Sequence, residues 1–159
     1  SGVVKDSLIR YKFFEKSSYY RTFAGLLYEK LKKMTNYCKF DIIISVPLHK
    51  SKQRIRGYNQ SLLISKELSR AIGVKDSSRM LYRTRNTHAQ SLLKREERYK
   101  NVKDAFKVNN PGKIKGKKIL LVDDILTTGQ TISECSRVLK EAGAQTVIAA
   151  VIASGRKLS

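Results

Sequence analysis

The sequence has no apolar run long enough to cross a membrane. A membrane helix needs ~20 consecutive apolar residues, and lysines and arginines interrupt this chain throughout. The first residues also lack the charged, apolar and small-residue arrangement of a signal peptide. These absences predict a protein without membrane insertion, and we expect it to be cytoplasmic.

Cysteine is scarce, with Cys38 and Cys135 the two in the chain. Their separation does not match the paired spacing of a zinc knuckle. Cys135 falls on the apolar side of a predicted helix, where a free cysteine packs as a small hydrophobic residue. We therefore expect reduced cysteines, as in a reducing cytoplasm, with a disulfide as the alternative.

Acidic residues are also few, because 13 Asp and Glu stand against 33 Lys and Arg. The net charge is +20 and the pI about 10.1, and the basic excess runs from Lys5 to Lys157. Such a charge attracts polyanions through phosphate contacts and counterion release. Nucleic-acid binding, a highly phosphorylated substrate and a lysine-rich proteome would each account for it.

Strand-like and helix-like segments alternate along the chain of 159 residues, which has the size of one domain. Each predicted strand is apolar throughout, which indicates a parallel sheet covered by helices on both faces. We expect helices over 18–34, 58–72 and 131–142, strands over 40–49, 80–82, 105–108, 119–122 and 146–153, and a basic loop over 50–57. In the second helix the residues expected to face the core are Leu62, Leu63, Leu68, Ala71 and Ile72.

The stretch ILLVDDILTTGQT, residues 119–131, combines a buried strand, two acids and a hydroxyl-rich loop before a helix. Ligands of open α/β sheets bind at the carboxyl ends of the strands. The helix start favours a phosphate, whereas Asp123 and Asp124 would repel one and suit the hydroxyls of a neighbouring sugar. Together these features predict a ribose 5-phosphate site. A helix cap with structural acids is the alternative.

The same stretch resembles the phosphoribosyl diphosphate (PRPP) signature of type I phosphoribosyltransferases. That resemblance implies a type I phosphoribosyltransferase fold, with a central, mainly parallel sheet flanked by helices on both faces. It implies that PRPP is held by Asp123, Asp124, Thr127, Thr128, Gly129, Gln130 and Thr131. Mg²⁺ would be held mainly by PRPP and water, with Asp123 and Asp124 as the protein groups nearest to it.

Three further segments resemble the ComF branch, which is competence-associated and amidophosphoribosyltransferase-like. They are KDSLIRYKFFEKSSYYRTFAGLL (5–27), ISVPLHKSKQRIRGYNQSLLISKELS (44–69) and RTRNTHAQSLLKREERYKNVKDAFKV (83–108). The resemblance implies a lead-in or hood-like helical region over 3–40 and a PRPP-binding core over 41–154. Full-length members carry an upstream zinc-binding segment that this chain lacks, so we expect a truncated catalytic-type domain without zinc. Ser1 and Gly2 are read as the remnant of an expression tag.

The branch resemblance assigns two more groups of residues. The pyrophosphate of PRPP would be bound by Val46, Pro47, Leu48, His49 and Lys50, assisted by Arg54 and Arg56. Residues 83–101 would form a mobile loop that closes over the substrate, with motif positions Thr87, Gln90, Arg98 and Asn101. No residue is identified as a covalent nucleophile, general acid or general base.

Two functions follow from the resemblance and stay open. The first is a phosphoribosyltransferase that moves ribose 5-phosphate from PRPP to a nitrogen acceptor and releases pyrophosphate. The second is a competence and DNA-uptake factor that binds single-stranded DNA beside a helicase-like partner, with PRPP as a regulatory ligand. The net charge favours the second, and the complete acid and threonine motif favours the first.

Overall fold

The chain contains both helices and strands, as the sequence predicts. The structure, a computed structural model, describes residues 19–34, 39–86, 100–126 and 129–154. The helices are α1 (Tyr19–Lys33), α2 (Lys50–Arg56), α3 (Gln60–Ile72) and α4 (Gln130–Glu141). The strands are β1 (Ile42–Ser45), β2 (Lys75–Asp76), β3 (Leu81–Arg83), β4 (Phe106–Val108), β5 (Lys118–Leu126) and β6 (Thr146–Ser154), with 3-10 turns at Ser78–Met80 and Pro111–Lys113.

A parallel sheet with the order β2-β1-β5-β6 forms the centre of the molecule. Ile42 of β1 lies opposite Ile119 of β5, and Ser45 lies opposite Val122. The carboxyl ends of β1 and β5 are therefore neighbours. The predicted α/β class is confirmed, and the edge where a ligand was expected combines the ends of two central strands.

Each face of this sheet is covered by its own hydrophobic cluster. Ile43 packs with α1 and α3, and Ile44 packs with α4; both side chains are fully buried. Successive residues of a strand project to opposite faces, so two adjacent isoleucines serve two cores. The prediction that helices cover both faces is confirmed. No helix in the described ranges is long and apolar enough to cross a membrane.

The second strand of the sheet differs from the prediction. Residues 81–83 form β3, which pairs antiparallel with β4 in a separate two-stranded sheet. The strand beside β1 is β2, whose two residues, Lys75 and Asp76, are charged and give no hydrophobic signal. In addition, β5 continues to Leu126, four residues beyond its predicted end, because its pairing with β6 continues to Ser154.

The buried face of α3 was predicted in part. Leu68 is buried as expected and Ile72 packs against the core, whereas Ala71 is exposed. The structure also buries Ile64, Ser61 and Ser65, which follow helical spacing with Leu68 on one side of the helix. Since two of these residues are serines, a search for apolar residues alone missed them.

The basic segment after β1 was predicted to be a loop, and this prediction was wrong. Residues 50–56 form the helix α2. The side chain of His49 caps its start by accepting a hydrogen bond from Ser51 N, and Gly57 ends it with a left-handed backbone, φ +79°. None of its residues is buried, and Ile55 is 85% exposed. Without an apolar side, the helix had no periodic pattern to detect.

Cys135 lies in the core, as expected, and is a free thiol. Burial raises the pKa of this thiol well above its usual value, and the nearby charge of Asp123 adds to the effect. The expectation of a reduced cysteine is met at Cys135. Cys38 lies outside the described residues.

Candidate functional site

Asp123 and Asp124 are buried inside β5, beside the loop that follows β1. They are 9% and 6% exposed. Val46 N donates to Val122 O at 2.8 Å, which joins that loop to the residue preceding the acids. Asp123 Oδ1 accepts a hydrogen bond from Asp124 N at 2.9 Å, and Asp124 Oδ1 accepts one from Ile125 N at 2.9 Å. The carboxylates are thus held by the backbone at the sheet edge.

A chain of hydrogen bonds connects the predicted pyrophosphate loop to the predicted ribose site. Asn59 Nδ2 donates to Val46 O at 3.1 Å, while Asn59 Oδ1 accepts from Ser61 N at 3.1 Å. Ser61 Oγ then donates to Asp123 Oδ1 at 2.9 Å. Asn59 therefore both caps α3 and holds the loop after β1. Ser61, the second residue of α3, links the same helix start to the carboxylate of Asp123. Both Asn59 and Ser61 lie in the segment 44–69 that resembles the ComF branch, but neither was predicted as a site residue.

Replacing Ser61 by alanine should weaken this connection. The variant removes a buried hydroxyl donor to a carboxylate, and we expect a loss of about 1–3 kcal/mol of unfolding free energy. PRPP affinity should fall as well, because Asp123 loses one of the bonds that orient it. Ser65→Ala is the control, since Ser65 Oγ donates to Asp76 Oδ2 at 2.6 Å one turn further along α3. Denaturant unfolding and PRPP titration should show a comparable stability loss in both variants and an affinity loss in Ser61→Ala alone. Equal PRPP affinities would contradict the assignment.

The helix α4 begins at Gln130, four residues after β5 ends at Leu126. Gly129 precedes the helix with φ +82°, and Gln130 and Thr131 are its first two residues, both half-buried. The first backbone N–H groups of a helix have no partner within it and carry the positive end of its dipole. The dipole at this end of α4 favours an anion. Thr127 and Thr128, predicted to complete this loop, lie outside the described residues.

The predicted pyrophosphate residues divide into separate groups. Residues 46–49 form the loop between β1 and α2, and Lys50 begins α2. Arg54 is exposed and lines a shallow cleft with Lys50, whereas Arg56 is half-buried and lies close enough to Lys52 to lower its pKa. Positions two apart on a helix face different directions. The structure therefore does not bring Arg54 and Arg56 to the same point.

Two basic residues that the sequence analysis did not single out lie near this loop. Burial, followed by the positive charges of Arg83 and Arg56, lowers the pKa of Lys52. Burial likewise lowers the pKa of Arg83, while the charge of Asp123 opposes that shift. The Arg83 guanidinium also stacks over the ring of Phe106 at 5.1 Å. The charge of Arg83 thus acts on both Asp123 and Lys52 of α2, and its position at the start of the charged segment was the available signal.

The charged segment that was predicted to close over the substrate is described at its two ends. Thr84 N donates to Ala105 O at 2.8 Å and Arg85 Nη2 to Lys103 O at 2.5 Å, so the two ends lie side by side. Asn101 is half-buried in the returning end. Thr87, Gln90 and Arg98 lie outside the described residues, and their roles stay predictions.

An ion-pair network fixes α4 to the returning end of that segment. Buried Glu134 accepts from Asp104 N at 2.7 Å and from Arg137 Nη2 at 2.6 Å, and Arg137 also contacts Asp104 at 3.0 Å. The hydrogen bond from Arg137 holds the pKa of Glu134 below its usual value, against the effect of burial. The helix whose start faces the site is therefore anchored from its middle. Glu134 was not selected from the sequence.

Removing Arg137 should lower stability and change its pH dependence. Because the pKa of Glu134 is lower in the folded state, its contribution is present above pH 4.5, the usual pKa, and is lost as the pH falls through the folded value. We expect Arg137→Ala to cost about 1–2 kcal/mol at neutral pH, since Arg137 is partly exposed. As the pH is lowered, the unfolding free energy of Arg137→Ala should fall less steeply than that of the wild type. The control is Arg70→Ala, which breaks an exposed pair with Glu67. Parallel acid-stability curves for wild type and Arg137→Ala would contradict the assignment.

The carboxylate oxygens of Asp123 and Asp124 are of the ligand type that Mg²⁺ prefers. Among the described residues no group of three or more His, Cys, Asp or Glu side chains is positioned to hold a metal ion. Two carboxylates are too few for a metal site made by the protein alone. An ion at this edge would need further oxygens from a ligand or from water.

Comparison with known proteins identifies the fold. The structure superposes on glutamine PRPP amidotransferase from Bacillus subtilis with a TM-score of 0.57 and 17% identity, over 86% of this chain and 26% of that one. It superposes on a purine phosphoribosyltransferase from Pyrococcus horikoshii with a TM-score of 0.51 and 20% identity, over 84% of this chain and 70% of that one. The fold is that of the type I phosphoribosyltransferases, as predicted.

Sequence comparison identifies the family. The family model for the phosphoribosyl transferase domain matches residues 22–158. Competence protein F of Haemophilus influenzae is 34% identical over 142 residues, covering 87% of this chain and 62% of that protein. Competence protein ComFC of Streptococcus pneumoniae is 35% identical over 152 residues (91% and 60%), and DNA utilization protein YhgH of Escherichia coli O6:H1 is 40% identical over 107 residues (67% and 46%). The chain spans about half to three fifths of the length of these relatives. It belongs to the phosphoribosyl transferase domain family, as a ComF-type member.

Proposed function

We propose that this domain binds PRPP and transfers its ribose 5-phosphate to a nitrogen acceptor, with release of pyrophosphate. The observation that carries the proposal is the hydrogen-bond chain from Val46 through Asn59 and Ser61 to Asp123. It holds a loop suited to pyrophosphate beside an acid suited to sugar hydroxyls. The start of α4 completes the edge with a phosphate-binding helix end.

In the proposed reaction the nitrogen attacks C1 of the ribose. The C1–N bond forms while the C1–O bond to pyrophosphate breaks, and the pyrophosphate leaves with the electron pair of that bond. The proton that the nitrogen loses passes to the departing pyrophosphate or to water. Asp123 and Asp124 would accept hydrogen bonds from the ribose hydroxyls and fix C1 in place. The first N–H groups of α4 would hold the 5-phosphate.

The negative charge that develops on pyrophosphate needs cationic partners. Lys50 lies at the start of α2, directly after the loop, and Lys52 and Arg83 lie close by. These side chains would stabilise the leaving group electrostatically. Magnesium bound with PRPP would neutralise further pyrophosphate charge, and Asp123 and Asp124 are the carboxylates that fit it.

The test for transfer is the release of inorganic pyrophosphate from PRPP and Mg²⁺ in the presence of ammonia or individual nucleobases. Mass spectrometry then identifies any ribosylated product. We expect acceptor-dependent release that disappears in Asp123→Asn/Asp124→Asn. Saturable PRPP binding without release, with every acceptor, would contradict transfer and favour PRPP as a regulatory ligand.

A second proposed function is single-stranded DNA binding, as the names of the competence and DNA-utilization relatives suggest. The observation that favours it is α2, an exposed helix with four basic residues among seven and no acid. Affinity for an oligonucleotide should fall steeply with salt. It should fall further when Lys50, Arg54 and Arg56 are neutralised than when three distant lysines are. Equal losses would mean non-specific charge attraction, which contradicts a DNA site at α2.

A further inference from the structure

A cavity lies beside the pyrophosphate loop, whose residues Pro47, Leu48 and Lys50 form part of its lining. It has a volume of about 770 Å³ and is lined by the loop, α2, α3 and residues 75–83. Cavities that bind small molecules usually measure about 300–1,000 Å³. Neither Asp123 nor Asp124 lines it, and beyond Pro47, Leu48 and Lys50 the family resemblance gives its lining residues no role. Its size and position require a separate explanation.

Basic side chains dominate the charge of this cavity. They are Lys50, Lys66, Lys75, Arg79 and Arg83. Within the described residues, Lys66, Lys75 and Arg79 make no ion pair with an acid. Like charges that share a concave surface raise the local potential, so an anion in the cavity would be attracted more strongly than one on the outer surface.

The one acidic residue of the lining does little to balance these charges, because its carboxylate is already hydrogen-bonded. Asp76 Oδ2 accepts from Ser65 Oγ at 2.6 Å and from Ser78 Oγ at 3.1 Å, and Asp76 Oδ1 accepts from Ser78 N at 3.1 Å. Ser78 Oγ in turn accepts from Ser45 N at 2.8 Å. These bonds make a fixed wall that joins β1, β2 and α3. The cavity is therefore preformed.

Part of the remaining lining is apolar, and an inorganic anion would not use that part. Leu48, Leu62 and Met80 line the cavity together with Tyr82, whose side chain is 37% exposed. An exposed aromatic ring beside basic groups suits a planar base, because stacking contributes about 1–3 kcal/mol per base. The lining thus matches a ligand that has both a polyphosphate and a ring system.

We propose that this cavity binds a nucleoside polyphosphate. The phosphates lie against Lys66, Lys75 and Arg79, and the base packs on Tyr82 and Met80. Lys50 belongs both to this cavity and to the predicted pyrophosphate site, so the occupant lowers the affinity of the domain for PRPP. The site adjoins the proposed pyrophosphate site, with which it shares Pro47, Leu48, Lys50 and Arg83, and it does not require transfer to occur.

The proposal is tested by calorimetric titration of ATP into the intact protein. We expect saturable binding of one ATP per chain, weakened ~10-fold or more in Lys66→Gln/Arg79→Gln, since each lost charged hydrogen bond is worth ~1.5–3 kcal/mol. Lys113→Gln/Lys117→Gln removes the same charge at the amino end of β5, opposite the cavity, and should leave the affinity unchanged. Tripolyphosphate should bind ~10-fold more weakly than ATP because it lacks the base.

Each alternative gives a different result. Equal losses in the two double variants would show non-specific attraction to a basic protein, and equal affinities for ATP and tripolyphosphate would show an anion site without base recognition. The variant Asp123→Asn/Asp124→Asn should keep its ATP affinity even if PRPP binding is lost. The ATP proposal and the PRPP proposal can therefore be refuted independently of each other. ATP binding that disappears in this acid variant would place ATP at the PRPP site instead. Binding of oligo(dT) but not ATP, sensitive to Lys66 and Arg79, would make the cavity part of a nucleic-acid surface. Any of these four results overturns the proposal.

Discussion

Replacing Asp123 and Asp124 together by asparagine is expected to weaken PRPP binding ~100-fold or more. Hydrogen bonds to charged groups contribute about 1.5–3 kcal/mol each, so two of them account for at least ~3 kcal/mol. Asparagine keeps the Oδ1 atom, which in Asp123 accepts from Ser61 Oγ and Asp124 N. The fold should therefore survive, and thermal unfolding should verify that it does.

The direction in which PRPP affinity changes in this variant distinguishes sugar recognition from simple charge attraction. The protein carries +20, and removing two acids makes the sheet edge more positive. If PRPP were attracted by net charge alone, the variant would bind it more tightly. Asp41→Asn/Glu29→Gln removes the same charge from exposed positions, Asp41 at the amino end of β1 and Glu29 on α1. It should leave PRPP affinity nearly unchanged. A tighter complex in the Asp123→Asn/Asp124→Asn variant would refute the ribose assignment.

Replacing Gly129 by alanine is expected to give the second large effect, a loss of PRPP affinity of ~10-fold or more. The backbone of Gly129 is left-handed, φ +82°, which costs an L-residue about 1–2 kcal/mol. An added Cβ would also lie 3.3 Å from Leu126 Cδ1. The turn into α4 must shift to relieve both strains. The N–H groups at the start of the helix would then no longer point to the phosphate position.

The opposite end of α4 offers a matched control in Gly143→Ala. Gly143 is also left-handed, φ +92°, and its Cβ would lie 3.2 Å from Lys115 Cγ. Both variants should therefore lose a similar amount of unfolding free energy in denaturant titrations. We expect only Gly129→Ala to lose PRPP affinity. Equal affinities in the two variants would mean that the start of α4 does not hold the phosphate.

The parts of the fold that could be predicted are those whose structure follows from a pattern of neighbouring residues in the sequence. The run from Ile119 to Thr131 gave a strand, an acid pair and a helix start in the correct order, and the structure has all three. The apolar strands around Ile43 and Leu121 likewise required a sheet buried on both faces. Local pattern and burial agree in these segments, so they could be predicted.

The parts that escaped prediction depend on contacts between distant segments. Nothing in the sequence distinguishes Ser61 from the other serines. Its role depends on the position of α3, which places it in contact with Asp123, 62 residues away in sequence. Arg83 is one basic residue among 33 Lys and Arg until β3 places it near Lys52 and Asp123. In the short strand β2, Asp76 is fixed by serines from two other elements. None of these relations has a local signal.

The most direct test of the central claim compares three ligands by calorimetry in the presence of Mg²⁺: PRPP, ribose 5-phosphate and inorganic pyrophosphate. A site with an acid pair and a helix start on one side and the loop after β1 on the other should bind PRPP more tightly than either fragment, by ~10-fold or more, because one ligand spans both halves. The binding should be saturable, with one PRPP per chain. Pyrophosphate binding as tight as PRPP binding, or no saturable PRPP binding at all, would contradict the account.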